Sequence, residues 1–138
     1  LVVKEVTGCD VADLCATVSS AKKLELLHEV GRLVGRLHAA GFFQPVRLKD
    51  IIREDPDHRL VMIDRETSKP WPTRFSSQRA IAALARTARR TVRDGHRFGP
   101  GSIRSVLSGY TEGVAAQWTI TERPLRRAIL SRLRKDLA

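Results

Sequence analysis

Aromatic residues are scarce. Phe, Trp and Tyr make up 5% of the chain, so any core must be assembled from Leu, Val, Ile and Ala. Cysteine is nearly absent, and Cys9 and Cys15 alone make neither a disulfide framework nor a zinc-type ligand set. Six positions apart at the start of a helical stretch, they are too distant to bridge, and they read as reduced, packed thiols of a cytosolic protein. No apolar run approaches the roughly 20 residues that span a bilayer, and the N-terminus lacks the pattern of a signal peptide. The chain begins at Leu1 rather than Met and reads as a segment of something longer. The four histidines, His28, His38, His58 and His96, lack metal-ligand spacing. There is no Gly-rich phosphate loop, no internal repeat and no low-complexity segment.

What is present fits one domain of 138 residues. Hydrophobic residues at 42% and charged residues at 29% are ordinary for a globular fold. The charge is unevenly spread. Residues 1–75 are net +1, whereas residues 76–138 carry +9 of the total +10. An anionic partner would therefore dock on the second half. Nucleic acid, an anionic membrane surface and a phosphorylated glycolipid all have suitable chemistry.

In chain order, residues 1–6 read as a short buried strand, broken at Thr7, Gly8 and Cys9. Asp10 is placed to cap a short helix to about Val18. Ser19 and Ser20 separate it from a second helix over about 21–40. There Leu24, Leu27, Gly31, Val34 and His38 form one stripe, and Leu26, Val30, Leu33 and Leu37 another, so burial on more than one side is expected. Gly31 and Gly35 each cost roughly 1 kcal/mol of helix propensity against Ala, and they predict the close approach of a neighbouring element. Gly41 stops the helix. Two β-like pieces, 51–53 and 60–63, flank a polar turn at 54–58 and make a hairpin. Pro70 and Pro72 around Trp71 exclude regular helix from the next loop.

Ser76 or Ser77 caps a helix to about Asp94, with Ile81, Leu84, Ala85, Ala88 and Val92 inward. Arg79, Arg86, Arg89, Arg90 and Arg93 largely occupy its other side. After a break at 95–101, Ser102 caps a helix to about Gln117 carrying Ile103, Val106, Leu107, Tyr110 and Val114. A last helix follows Thr121 and Pro124, with Leu125, Ile129, Leu133 and Leu137 as its apolar stripe. Arg126, Arg127, Arg132, Arg134 and Lys135 form its solvent side. The expected fold class is α+β, mostly helical, with a small hairpin and about five helices.

The run Leu37-His38-Ala39-Ala40-Gly41, the loop after it and the strand ending at Asp64 resemble the C-lobe of the lipopolysaccharide kinase family. These are the Kdo and heptose kinases of the protein-kinase-like superfamily. The resemblance covers essentially the whole chain as one domain: a hinge strand at 1–6, a catalytic-loop and metal-loop region at 41–75, and a basic helical half at 76–138. Gly109-Tyr110 suits the family's tail. The resemblance implies transfer of a phosphoryl group from ATP to a sugar hydroxyl, with ATP and Mg²⁺ as cofactors. It assigns Asp64 to the metal. Lys4 and Val6 would offer backbone groups to adenine, and Asp10 would meet the ribose. The Gly-rich N-lobe would lie before residue 1. The basic half would face a lipid-linked saccharide, in the cytoplasm or peripherally at the inner face of the membrane.

Phosphoryl transfer needs a carboxylate at the acceptor hydroxyl and oxygen ligands for Mg²⁺. Aligned without gaps, the family's loop His falls on Gln44, its catalytic Asp on Val46 and its second metal ligand on Ile51. Val accepts no proton and Ile ligates no metal. Asp50, one position from the missing ligand, is the candidate to replace it. The resemblance thus implies an impaired kinase or a pseudokinase. The alternative is a basic helical nucleic-acid-binding domain acting through residues 76–138, for which salt-sensitive binding is expected. Against that alternative, the chain shows no helix-turn-helix signature with a convincing recognition helix. Trp71 and Trp118 are expected to pack rather than stack on bases.

Overall fold

Two helices run side by side through the protein with their backbones nearly touching. They are α2 (Ser20–Ala39) and α4 (Pro100–Ala115). The computed structural model describes residues 8–55, 57–63 and 75–137. Around the pair lie β1 (Gly8–Asp10), α1 (Val11–Thr17), a 3-10 turn at Leu48–Asp50, β2 (Ile51–Glu54), β3 (Arg59–Met62), α3 (Ser77–Arg93) and α5 (Glu122–Leu137). The class is α+β and mostly helical. The strands form one antiparallel sheet in the order β1-β2-β3.

The α2–α4 contact is made by four glycines, two on each helix. A Cβ at Gly31 would overlap the Val106 carbonyl oxygen and stand 2.8 Å from its carbon; one at Gly35 would overlap the Tyr110 carbonyl. Reciprocally, Gly109 abuts the His28 carbonyl and Gly113 that of Arg32. The partners rise together along both helices, so the two run parallel. Each pair of glycines is four residues apart, one face of a helix. The close approach expected of Gly31 and Gly35 is therefore present, and its partner is α4. Polar contacts flank the seam. Arg32 Nη2 donates to Glu112 Oε1 at 2.6 Å, His28 Nε2 lies 2.9 Å from Glu112 Oε2, and Ser105 donates to the Leu24 carbonyl.

Local signals account for the helix ends. Asp10 Oδ1 accepts from the Asp13 N–H at 2.8 Å, and Ser19 and Ser76 cap α2 and α3 in the same way. At Gly41, with φ 93°, the Gly41 N–H reaches the His38 carbonyl and the Phe42 N–H reaches that of Leu37, which is the paired bonding of a Schellman stop. The hairpin registers Ile51 with Met62 and Glu54 with Arg59.

Several expectations need correction. The strand expected at residues 1–6 lies outside the described residues. Gly8 and Cys9, expected to break a strand, instead belong to β1, which pairs with β2 through Gly8–Glu54 and Cys9–Arg53. Gly8 suits that place because any Cβ there would strike the Arg53 carbonyl. Helix α4 begins two residues before Ser102. Pro100 occupies its first turn and Gly99 its N-cap, because proline's fixed φ suits that position and its missing N–H is not needed there. Leu24 and Val92, placed on inward stripes, are 40% and 48% exposed. Leu24 lies in the second turn of α2 and Val92 in the last turn of α3.

The core gathers Val11, Leu27, Ile51, Ala80, Tyr110 and Ile129, all fully buried. Cys9 is exposed and Cys15 half-buried, both as free thiols, and burial pushes the Cys15 thiol up from its ordinary pKa. No described helix is long and apolar enough to cross a membrane.

Candidate functional site

The sheet gathers three sequence-distant pieces around the 3-10 turn. Asp10, the last residue of β1, is registered with Ile52. Asp50 closes the turn just before β2, its N–H donating to the Arg47 carbonyl at 3.0 Å. Its own carbonyl accepts the Ile63 N–H at 2.8 Å, which draws the exit of β3 alongside the loop. Asp64, Lys4 and Val6 lie outside the described residues. Of the residues assigned from sequence, the fold thus brings Asp10 and Asp50 to one end of the sheet. The Asp10 carboxylate already serves the α1 cap. The Asp50 side chain is half-buried.

The loop from Phe42 to Asp50 is held from three sides. Val46 is 5% exposed, and its N–H donates to Thr87 Oγ1 on α3 at 3.0 Å. The Arg47 guanidinium donates twice to the Asp94 carboxylate, at 3.2 and 3.0 Å. That fork holds the Asp94 carboxyl below its ordinary pKa and raises that of Arg47. Leu48 and Ile51 are buried. Val46 and Ile51, the positions to which the resemblance assigned the catalytic carboxylate and a metal ligand, are buried apolar residues of the core. Among the described residues no group of three or more His, Cys, Asp or Glu could hold a metal ion. The described part of this loop does not fit a complete Mg²⁺ site.

Beneath the loop, His38 is 1% exposed, and its Nδ1 shares a 2.7 Å hydrogen bond with Tyr110 Oη on α4. Its ring packs against Phe43 at 5.2 Å and edge-on to Tyr110 at 5.3 Å, and Phe43 in turn meets Phe75 at 6.2 Å. Burial pushes the His38 pKa down to about 3 and that of Tyr110 well up. His38 is thus neutral at physiological pH. The indole N–H of Trp118 donates to the Ala39 carbonyl at 2.8 Å, satisfying one of the carbonyls that the end of α2 leaves open. Trp118 is a packing anchor, as expected.

Sequence reasoning missed the tethers. Nothing in the pattern marked Thr87 as the partner of Val46, or Asp94 as that of Arg47. The link from His38 to Tyr110 had a partial signal, since both residues stood on apolar stripes where a polar group must find a mate. No known protein family, curated protein or solved structure matches this chain.

Proposed function

We propose that this chain is a kinase-like C-lobe of lipopolysaccharide-kinase type whose transfer chemistry has lapsed. On this reading it is a pseudokinase that binds rather than phosphorylates. The observation that carries the reading is the meeting of Asp10, Asp50 and Ile63 at one end of a small antiparallel sheet, after a half-buried helix that stops at Gly41. A nucleotide cleft needs that floor, with an acidic residue at the loop and another at the strand exit, where Asp64 follows Ile63. Val46 and Ile51 argue for lost catalysis, because a buried aliphatic side chain neither takes a proton nor holds Mg²⁺. ATP and Mg²⁺ remain the ligands the lineage would bring, and an upper lobe is required to close over them.

The test is thermal stability of the protein with ATP, with and without Mg²⁺. A ligand at 100 times its Kd stabilises by about 2.7 kcal/mol. The expected result is a rise in Tm that falls in Asp50→Asn and Asp64→Ala, with no phosphate transferred to a sugar acceptor. No shift in the wild type, and none lost in either variant, would reject nucleotide binding. Measurable transfer would reject the pseudokinase.

The basic half supports a second reading. Helix α3 carries Arg79, Arg86, Arg89, Arg90 and Arg93 and no carboxylate. Nucleic-acid binding through it would weaken steeply with salt. Filter binding of an oligonucleotide at two salt concentrations separates the two readings.

A further inference from the structure

Between α4 and α5 lies a groove of about 380 Å³ lined by Arg104, Arg123, Arg126 and Arg127, with Leu107, Leu130 and Ser108. We propose that this groove is a binding site for a compact ligand bearing a phosphomonoester or pyrophosphate group. The proposal stands apart from the nucleotide-cleft reading and needs none of its residues.

The first argument is charge. Arg126 has a partner, Glu122, at 3.7 Å. Among the described residues, Arg104, Arg123 and Arg127 form no ion pair. Three uncompensated guanidinium groups thus share one small concavity. The second argument is their position. Arg123 sits in the first turn of α5 beside Glu122, and Arg126 and Arg127 lie one turn further on. Helix N-termini carry partial positive charge and favour anions, so Arg123 is unfavourably placed there. The ligand-free groove is electrostatically frustrated, and an anion relieves both terms together.

The third argument is shape and donor count. Each guanidinium offers five N–H donors in a planar fork that matches phosphate oxygens in pairs. A carboxylate brings one charge, whereas a phosphomonoester brings about −1.5 to −2 and three strong acceptor oxygens. The volume falls within the range of small-ligand clefts. Leu107 and Leu130 give the groove an apolar wall for the group that carries the phosphate. No aromatic side chain lines it, so it lacks the stacking surface on which single-stranded nucleic acids rely.

The experiment titrates the whole chain with sodium pyrophosphate against chloride of matched ionic strength, by calorimetry and thermal shift. Vesicles of phosphatidylcholine with phosphatidic acid, or with phosphatidylserine, form the second arm. The variants are Arg104→Gln, Arg127→Gln and their double, with Arg134→Gln, exposed on α5 outside the groove, as control. Pyrophosphate binding is expected to weaken about tenfold with each groove substitution and to survive in the control. Arginine-dependent binding of both pyrophosphate and phosphatidic acid identifies a free or lipid-borne monoester. Binding of phosphatidic acid vesicles alone identifies the lipid source. Arg123→Gln should also raise the Tm of the ligand-free protein, a gain that a merely structural arginine would not give. Equal binding in the double variant, equal response to phosphatidylserine, or a Gln-sensitive response to an oligonucleotide alone overturns the proposal.

Discussion

Replacing Gly109 with Ala adds one methyl group to the seam between α2 and α4, and the outcome can be worked from the geometry. In an unencumbered helix the exchange is favourable by about 0.8–1.0 kcal/mol. At Gly109 the new Cβ would overlap the His28 carbonyl oxygen and lie 3.0 Å from the Arg32 nitrogen. Both are backbone atoms and cannot swing aside, so the helices must part. Overpacking of this kind costs about 1–3 kcal/mol. Parting also strains the buried link between His38 and Tyr110, and leaving a buried polar group unpaired costs about 1–3 kcal/mol more. The net expectation is a loss of about 1–5 kcal/mol. At roughly 4 °C per kcal/mol that lowers Tm by about 4–20 °C. The matched control is on the same helix: a Cβ at Gly101 meets nothing within 4 Å. Gly101→Ala should stabilise by about 0.4–1 kcal/mol. Circular-dichroism melts and urea titrations of both variants are the assay. If the two changes move stability in the same direction, the glycine seam does not hold these helices together.

Other predictions follow from single contacts. His38 has a folded pKa near 3, below its unfolded value of 6.5, so its contribution is fully present above pH 6.5 and is lost as pH falls towards 3. Urea stability should fall between pH 7 and 5 by up to about 1.4 kcal/mol per unit, and His38→Gln should flatten that slope; a wild type equally stable at both pH values would contradict it. Introducing a carboxylate by Val46→Asp should destabilise by about 3 kcal/mol or more, since it buries an unpaired charge; a stable variant that turns over ATP would show that the loop accepts one. Thr87→Val should cost about 1–3 kcal/mol by orphaning the Val46 N–H, read as a lower urea midpoint with an unchanged slope.

Much of the framework was visible in the residues. Asp10 and the serine pairs 19–20 and 76–77 marked three helix starts, and Asp10, Ser19 and Ser76 prove to be the caps, each bonding an N–H three residues on. Gly41 announced a stop, and the polar turn between Ile52 and Leu60 a hairpin. The start of α4 was misread because Ser102 is a good cap and Pro100 is an equally good first-turn residue, and the helix took the earlier one. Val92 is exposed although it stands on an apolar stripe, because period alone does not say which part of a stripe a neighbour covers. At the candidate site, Asp50 was singled out only by laying the loop on the family it resembles, and its backbone bond to Ile63 depends on how the hairpin folds back.

The sequence by itself determined the helices, three of their N-caps, the hairpin and the charge imbalance. Each of these is fixed by interactions within a few residues or by simple counting. The tertiary structure alone decided that α2 lies parallel to α4, that His38 meets Tyr110 across 72 positions, and that Val46 hangs from Thr87. It alone gathered arginines from two helices into one groove. The physical reason is that packing joins surfaces, and a surface belongs to its element. Which surfaces meet depends on the whole chain filling its core at once, so no local pattern carries the name of a residue's distant partner.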